Sequence, residues 1–217
     1  MPDRLSARYA AIGIMSRNSK SSSSVPAPRT AGKSLPNKLR IIGGRWRGVP
    51  VTFPSLPALR PSPDRVRETL FNWLQPVILG ARCLDLFAGS GALGLEALSR
   101  GASHVDFVDS EPLIGRHLQE TLRRLKTADG AVHTAEALRF LERPAATGYD
   151  IVFLDPPYAS DLLPTICARL AQGGWLAREA LIYLECPADR PLPELPAGWQ
   201  VRRSKRAGQV GYHLLRA

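Results

Sequence analysis

The sequence predicts a doubly wound, Rossmann-like α/β fold with a small N-terminal β-hairpin extension, and three observations predict it. Short apolar runs alternate with helix-length amphipathic stretches between residues 83 and 185; a glycine-rich turn follows the first of those runs; and Asp85, Asp109, Glu136 and Asp155 each stand at or just beyond the end of a run. Alternation of this kind builds a mostly parallel sheet with helices on both faces, where ligands gather at the carboxyl ends of the strands. The four acids therefore converge on one place, which is the physical argument for a single site.

In chain order, residues 1–38 read as a flexible basic tail. Their Ser-rich run and Pro26-Ala27-Pro28 offer too little apolar surface to order the segment. The apolar stretch 9–15 is too short to span a bilayer and no signal-peptide cleavage site follows it, so a cytoplasmic protein is expected, with Met15 as a candidate start of translation.

Residues 39–59 predict a β-hairpin with bulges, in which two apolar segments flank Gly43-Gly44-Arg45-Trp46-Arg47-Gly48. Interleaving Trp46 with Arg45 and Arg47 suits RNA, where rings stack and guanidinium groups meet phosphates. The other reading is a hairpin that only packs Trp46 against the main domain.

Residues 60–217 form that main domain. Ser62 is placed to cap a helix with Pro63 at its first position. Val66, Leu70, Trp73 and Leu74 recur at helical spacing, while Asp64, Arg65, Arg67 and Glu68 fall on the other side, where a surface ion-pair network is one account of them. Beyond Gly89 the pattern gives a helix over 91–100, a strand over 104–108, a helix over 113–125, a strand over 131–134, a helix over 136–141 and a strand over 151–154. A strand over 181–185 follows, and 200–205 with 212–215 closes the sheet as an antiparallel hairpin.

Two segments carry chemistry. Asp155-Pro156-Pro157-Tyr158 leaves the end of a buried strand with a carboxylate, two prolines and a ring. An amine on a nucleobase is a poor nucleophile because its lone pair is delocalised into the ring. Acceptors for its two hydrogens, here the Asp155 carboxylate and the Pro156 carbonyl, help localise that pair on nitrogen. The prolines hold the acceptors still, and Tyr158 can stack on a base turned out of its helix. Strand termination by Pro156 and Pro157 is the plain alternative.

The second segment runs from Cys83 through Asp85, Phe87, Ala88, Gly89, Ser90 and Gly91 to Gly94. Gly89-x-Gly91-x-x-Gly94 matches the dinucleotide fingerprint, with Asp109 at the spacing of a ribose-binding acid. Asp85 weighs against a dinucleotide, since it sets a negative charge close to where a pyrophosphate must sit. S-adenosylmethionine has no phosphate, and its ammonium and sulfonium groups favour a carboxylate. The segment is therefore read as a pocket for that cofactor, with Asp109 on the ribose hydroxyls and Glu136 or the Ala137 backbone at the adenine; Glu136 serves equally well as a first-turn acid of its helix.

On these motifs the chain resembles the RsmD family of bacterial 16S ribosomal RNA guanine-N2 methyltransferases. The resemblance runs from Leu39 to the C-terminus, through 39–48, 60–74, the glycine-rich segment extended to Ala102, and the Asp155 tetrapeptide, and it continues at 174–177, 180–185 and 208–212. Pro63 departs from the small polar residue expected there. The resemblance implies a class I S-adenosylmethionine-dependent methyltransferase sheet, displacement of the methyl group directly by the target amine, and a guanine of 16S rRNA within an assembling 30S subunit as substrate. It also implies that the helix after Ser62 lies near the cofactor and substrate mouth, so that Arg60, Arg65 or Arg67 contacts the methionine carboxylate or RNA phosphate.

Composition agrees. With 217 residues and a net charge of +10 the chain holds one sizeable α/β core. Residues 1–40 carry eight basic side chains against one acid, so the remainder is only mildly basic and its clusters matter more than its total. Those clusters are Arg40, Arg45 and Arg47, and Arg202, Arg203, Lys205 and Arg206, each a phosphate contact or a solvated face. Cys83, Cys167 and Cys186 suit small core side chains in a reducing compartment. No ligand spacing suggests a metal, and a monomer free of membrane is expected. The rivals are a DNA adenine-N6 or cytosine-N4 methyltransferase, which would need a larger recognition domain; a protein-glutamine methyltransferase, which would prefer Asn at position 155; and a noncatalytic RNA-binding assembly factor.

Overall fold

The structure, a computed structural model, describes residues 37–56, 62–157 and 161–217. The tail expected over 1–38 falls outside them except for its last two positions, and Arg60 and Tyr158 also lie outside the described residues.

Seven strands form the main sheet: β3 (Arg82–Asp85), β4 (His104–Asp109), β5 (Gly130–Thr134), β6 (Tyr149–Leu154), β7 (Leu176–Pro187), β8 (Gln200–Ala207) and β9 (Val210–Arg216), in the spatial order β5-β4-β3-β6-β7-β9-β8. The first five are parallel to one another; β9 pairs antiparallel with β7 and with β8. Strand order reverses between β3 and β6, so the crevice above their carboxyl ends is the topological switch point. The doubly wound fold expected from the sequence is the one observed.

Apolar residues on alternate faces fill two cores. Cys83, Phe107, Ile151, Phe153 and Tyr183 point to one side, with α1 (Asp64–Leu74), α2 (Ala92–Ser99) and α3 (Pro112–Arg124). Leu84, Val108, Val152, Leu154 and Leu184 point to the other, with α4 (Ala137–Phe140) and α5 (Leu163–Gln172). Burial on both faces is why these strands read as continuous apolar runs. The three cysteines are free buried thiols within these cores.

Three sequence expectations need correction. No helix was expected between 154 and 181, yet α5 fills that interval. Parallel β6 and β7 need a crossover, and Leu163, Ile166, Cys167 and Leu170 supply its buried stripe. Ser62 does not cap α1: Pro63 occupies that position with no side-chain cap, and the Ser62 hydroxyl turns to other partners. Arg67 is not on an exposed side. It is 1% exposed, donating from Nη2 to Arg40 O (2.9 Å) and Asp64 Oδ1 (2.6 Å), with Nη1 3.6 Å from Glu96 Oε2.

The N-terminal hairpin, β1 (Asn37–Arg40) against β2 (Pro50–Phe53), docks on α2. Leu39, Ile41, Val51 and Phe53 join the first core. Fully buried Glu96 accepts the Ile42 and Gly43 N–H groups, both at 2.8 Å, and Arg100 Nε at 2.7 Å. Ser99 Oγ accepts from Trp46 N and donates to Gly43 O.

Candidate active site

The glycine-rich turn joins β3 to α2. Gly91 takes a φ of +78° at the helix cap, a left-handed conformation open to glycine, and a Cβ there would lie 2.6 Å from Leu118. A Cβ on Gly94 would run into the Phe107 ring, so the third glycine lets α2 sit against the sheet. Phe87 and Gly89 are half-buried; Ala88, Ser90 and Gly91 are buried.

Both acids assigned to the cofactor also hold this turn. Asp109 Oδ2 accepts the Gly89 N–H at 2.8 Å and its Oδ1 accepts the Glu111 N–H at 2.9 Å. Asp85 Oδ2 accepts the Gly94 N–H at 2.9 Å in the first turn of α2. Burial pushes the Asp85 carboxyl up to about 7; the Gly94 hydrogen bond opposes this and the Asp109 charge adds to it. Glu136 precedes α4 at an exposed position, and its side chain makes no capping hydrogen bond, while Ala137 is buried.

Asp155 continues β6 past Leu154, beside β7. Its neighbours include three residues that the sequence reading did not bring to this place. The Ser62 hydroxyl lies 2.8 Å from Glu185 Oε1 and 3.3 Å from Asp155 Oδ2, and Tyr183 donates its hydroxyl to the same Glu185 oxygen at 2.7 Å. Asp155 is partly exposed whereas Glu185 is 2% exposed, so Asp155 faces the mouth and Glu185 stands behind it. Burial raises the Asp155 carboxyl well above the usual carboxylate range; the Glu185 charge raises it further, the Ser62 hydrogen bond opposes, and Asp85 adds. The signal that could have found Glu185 is a lone acid closing the apolar run 180–184. Pro156 is buried and Pro157 exposed.

The structure thus brings Asp85, Asp109 and Asp155 to adjacent strand ends, with Asp85 electrostatically linked to both of the others. A cation placed among them would favour their ionised forms, whereas a phosphate would add to the repulsion that raises Asp85 and Asp155. The hairpin residues lie elsewhere. Arg45 is ion-paired to Asp129 at 3.0 Å with its guanidinium 4.2 Å from the Trp46 ring centroid; Trp46 is partly buried against the first core; Arg47 and Arg65 are exposed.

Comparison with known proteins adds to this geometry. A family model described as Conserved hypothetical protein 95 matches residues 39–216. The chain is 49% identical over 177 residues to Ribosomal RNA small subunit methyltransferase D of Escherichia coli K12, covering 82% of this chain and 89% of that protein. It is 42% identical over 180 residues to the protein of the same name from Haemophilus influenzae, covering 82% and 93%. A solved structure of yhhF from Escherichia coli, named there as a candidate methyltransferase, superposes with a TM-score of 0.78 at 47% identity, covering 83% of this chain and 98% of that one.

Proposed function

The chain belongs to the RsmD family, matched by the Conserved hypothetical protein 95 model over residues 39–216, and on that premise we propose that it is an S-adenosylmethionine-dependent ribosomal RNA methyltransferase acting on the N2 amine of a guanine in 16S rRNA. The observation that carries the reading is the row of acids at the strand ends, Asp109, Asp85 and Asp155, with Glu185 behind the last. A cationic cofactor would relieve the mutual repulsion that raises the Asp85 and Asp155 carboxyls and a pyrophosphate would increase it. Gly91 and Gly94 support the reading indirectly, since a Cβ at either would meet Leu118, Leu95 or Phe107 and push α2 away from the strand ends that carry these acids.

S-adenosylmethionine supplies an activated methyl on a positively charged sulfur. This chain's own residues do the rest by position and charge. Asp109 and Asp85 hold the turn backbone through Gly89 and Gly94, and their remaining acceptor capacity faces ribose hydroxyls and the amino-acid end. The Asp155 carboxylate and the Pro156 carbonyl accept the two hydrogens of the target amine. Asp155 then takes the proton released on methylation, a task suited to a carboxyl whose proton affinity is raised by burial and by Glu185. Ser62 and Tyr183 fix Glu185 and so fix the charge behind Asp155. A partly assembled 30S subunit is the proposed form of the substrate and a monomer the proposed form of the enzyme.

The test is transfer of tritiated methyl from S-adenosylmethionine to 30S subunits, deproteinised 16S rRNA and duplex DNA, all from cells lacking the enzyme, followed by nucleoside analysis. N2-methylguanosine in the ribosomal substrate is expected. Label in DNA, or in another ribosomal nucleoside, overturns the assignment.

A further inference from the structure

We propose that the groove between α1 and the edge strand β8 is the track for the phosphate backbone of the substrate RNA, leading to the Asp155 mouth; this rests on the ribosomal RNA reading above. The groove has two stretches. The upper one, about 430 Å³, lies between Arg65 and Thr69 of α1 and Lys205 and Arg206 of β8, with Tyr212 at its floor. The lower one, about 560 Å³, lies between Trp73 and Pro76 and the pair Arg202 and Arg203.

Position ties this track to the site. Glu185, Tyr212 and Lys205 stand opposite one another across β7, β9 and β8, so Lys205 is two strand spacings, about 10 Å, from the residue behind Asp155. On the other wall, Ser62 touches both carboxyls and α1 begins two residues later, which puts Arg65 at the upper end. The track is thus joined to the mouth on both sides.

Charge identifies the occupant. Five cations border the groove, and among the described residues no acid lines either stretch and none of the five is ion-paired. Arg203 and Arg206 donate to backbone carbonyls and keep further N–H groups for a ligand. On the hairpin, by contrast, Arg45 is already engaged by Asp129. A register shift between Val201 and Arg203 marks a bulge, a device that re-aims side chains, and Arg202 and Arg203 both border the groove there. Lysines and arginines also guard edge strands against pairing, but that duty needs neither Arg65 on the facing wall nor an aromatic floor. Trp73 stacks on Tyr212 with centroids 5.6 Å apart and has Lys205 Nζ 6.0 Å from its ring. Cations along a groove with aromatic rings beneath are the arrangement that tracks a nucleic-acid strand.

The experiment compares the unaltered full-length protein with three variants: R202Q/R203Q/K205Q/R206Q on β8, Arg65→Gln on α1, and R45Q/R47Q on the hairpin. Readouts are binding of a fluorescent single-stranded oligoribonucleotide and of 30S subunits as a function of salt, methyl transfer to 30S subunits, and affinity for S-adenosylmethionine. The β8 variant should bind RNA at least about tenfold more weakly near 0.1 M salt, with its log-log salt slope reduced by about three, since each phosphate contact contributes roughly 0.7 to 0.9. Cofactor affinity should be unchanged. Arg65→Gln should reduce the slope by about one and supplies the test should the β8 variant aggregate. Unchanged RNA affinity and slope in both groove variants overturns the inference, as does a loss confined to R45Q/R47Q. If the unaltered protein binds RNA but methylates no ribosomal substrate, the functional reading fails while the binding series still decides the groove.

Discussion

Asp155 and Glu185 face one hydroxyl between them: Ser62 Oγ is 3.3 Å from a carboxylate oxygen of the first and 2.8 Å from one of the second. One hydroxyl has one proton, so it cannot fully satisfy both oxygens at once. Tyr183 gives the Glu185 oxygen a second donor, so the repulsion that remains between the pair is that of the Glu185 charge raising the Asp155 carboxyl, which burial strengthens. Removing Asp155 should relieve that repulsion and end catalysis together. Asp155→Ala is expected to lower methyl transfer by at least about a hundredfold, with S-adenosylmethionine affinity within a few fold of the unaltered protein and thermal stability equal or higher. Single-turnover transfer, calorimetric titration and a melting curve check the three parts; normal turnover would remove Asp155 from the mechanism.

Glu185→Gln keeps the acceptor for Tyr183 and Ser62 and removes the charge behind Asp155. Because Glu185 raises the Asp155 carboxyl, its neutralisation should lower it. Asp155 must be ionised to take the amine proton, so activity is lost as pH falls through its pKa. The acid limb of the kcat/KM profile should accordingly move to lower pH. An acid limb that stays in place while stability drops would reduce Glu185 to a packing role.

Asp85 makes a prediction about stability. In the unfolded chain its carboxyl titrates near 3.8, whereas burial raises it to about 7 in the folded one, so the folded state holds the proton more tightly. The resulting contribution is complete below 3.8 and is lost as pH rises through about 7. Asp85→Asn retains an acceptor for the Gly94 N–H without titrating. In urea unfolding without cofactor, the variant should therefore gain on the unaltered protein from pH 4 to about pH 7 and level off above it. A constant difference across that range would mean that Asp85 does not titrate there.

Arg67→Ala should cost stability and spare RNA. Its removal unseats the carbonyl of Arg40 and takes one cation from beside fully buried Glu96. A loss of about 3 kcal/mol is expected, in the range for breaking a buried pair, with unchanged RNA affinity per folded molecule. Urea unfolding and filter binding separate the two, and a selective RNA defect at full stability would return Arg67 to the interface.

What the sequence made legible was local. Strands buried on both faces read as apolar runs, and the acids at their ends announce a site because parallel topology sends strand ends to one edge. Glycine spacing marked the turn for the same reason: Gly91 and Gly94 answer constraints set within the β3-α2 unit and its nearest neighbours. Partnerships that depend on tertiary folding were not legible. Ser62 reaches Asp155 and Glu185 across sequence separations of 93 and 123, and in a linear reading its hydroxyl is indistinguishable from a helix cap. Arg67 failed in the same way, since helical spacing placed it beside charged neighbours and its partners Arg40 O and Glu96 are distant in sequence. The missed α5 differs, because its apolar spacing is plain and Pro164 sits at its start, where proline is tolerated.

The seating of the hairpin on α2 has a practical outcome for protein engineering. Glu96, Ser99 and Arg100 form a socket on one side of a short helix, and much of what they grip is main chain: two amides and a carbonyl near Gly43, and the amide of Trp46. Backbone groups are common to every residue except at proline nitrogen, so the socket reads the shape of the inserted loop more than its side chains. Loops of different sequence are therefore expected to seat at residues 44–48, provided that the chain still turns tightly at Gly44, where a Cβ would strike the Ser99 carbonyl.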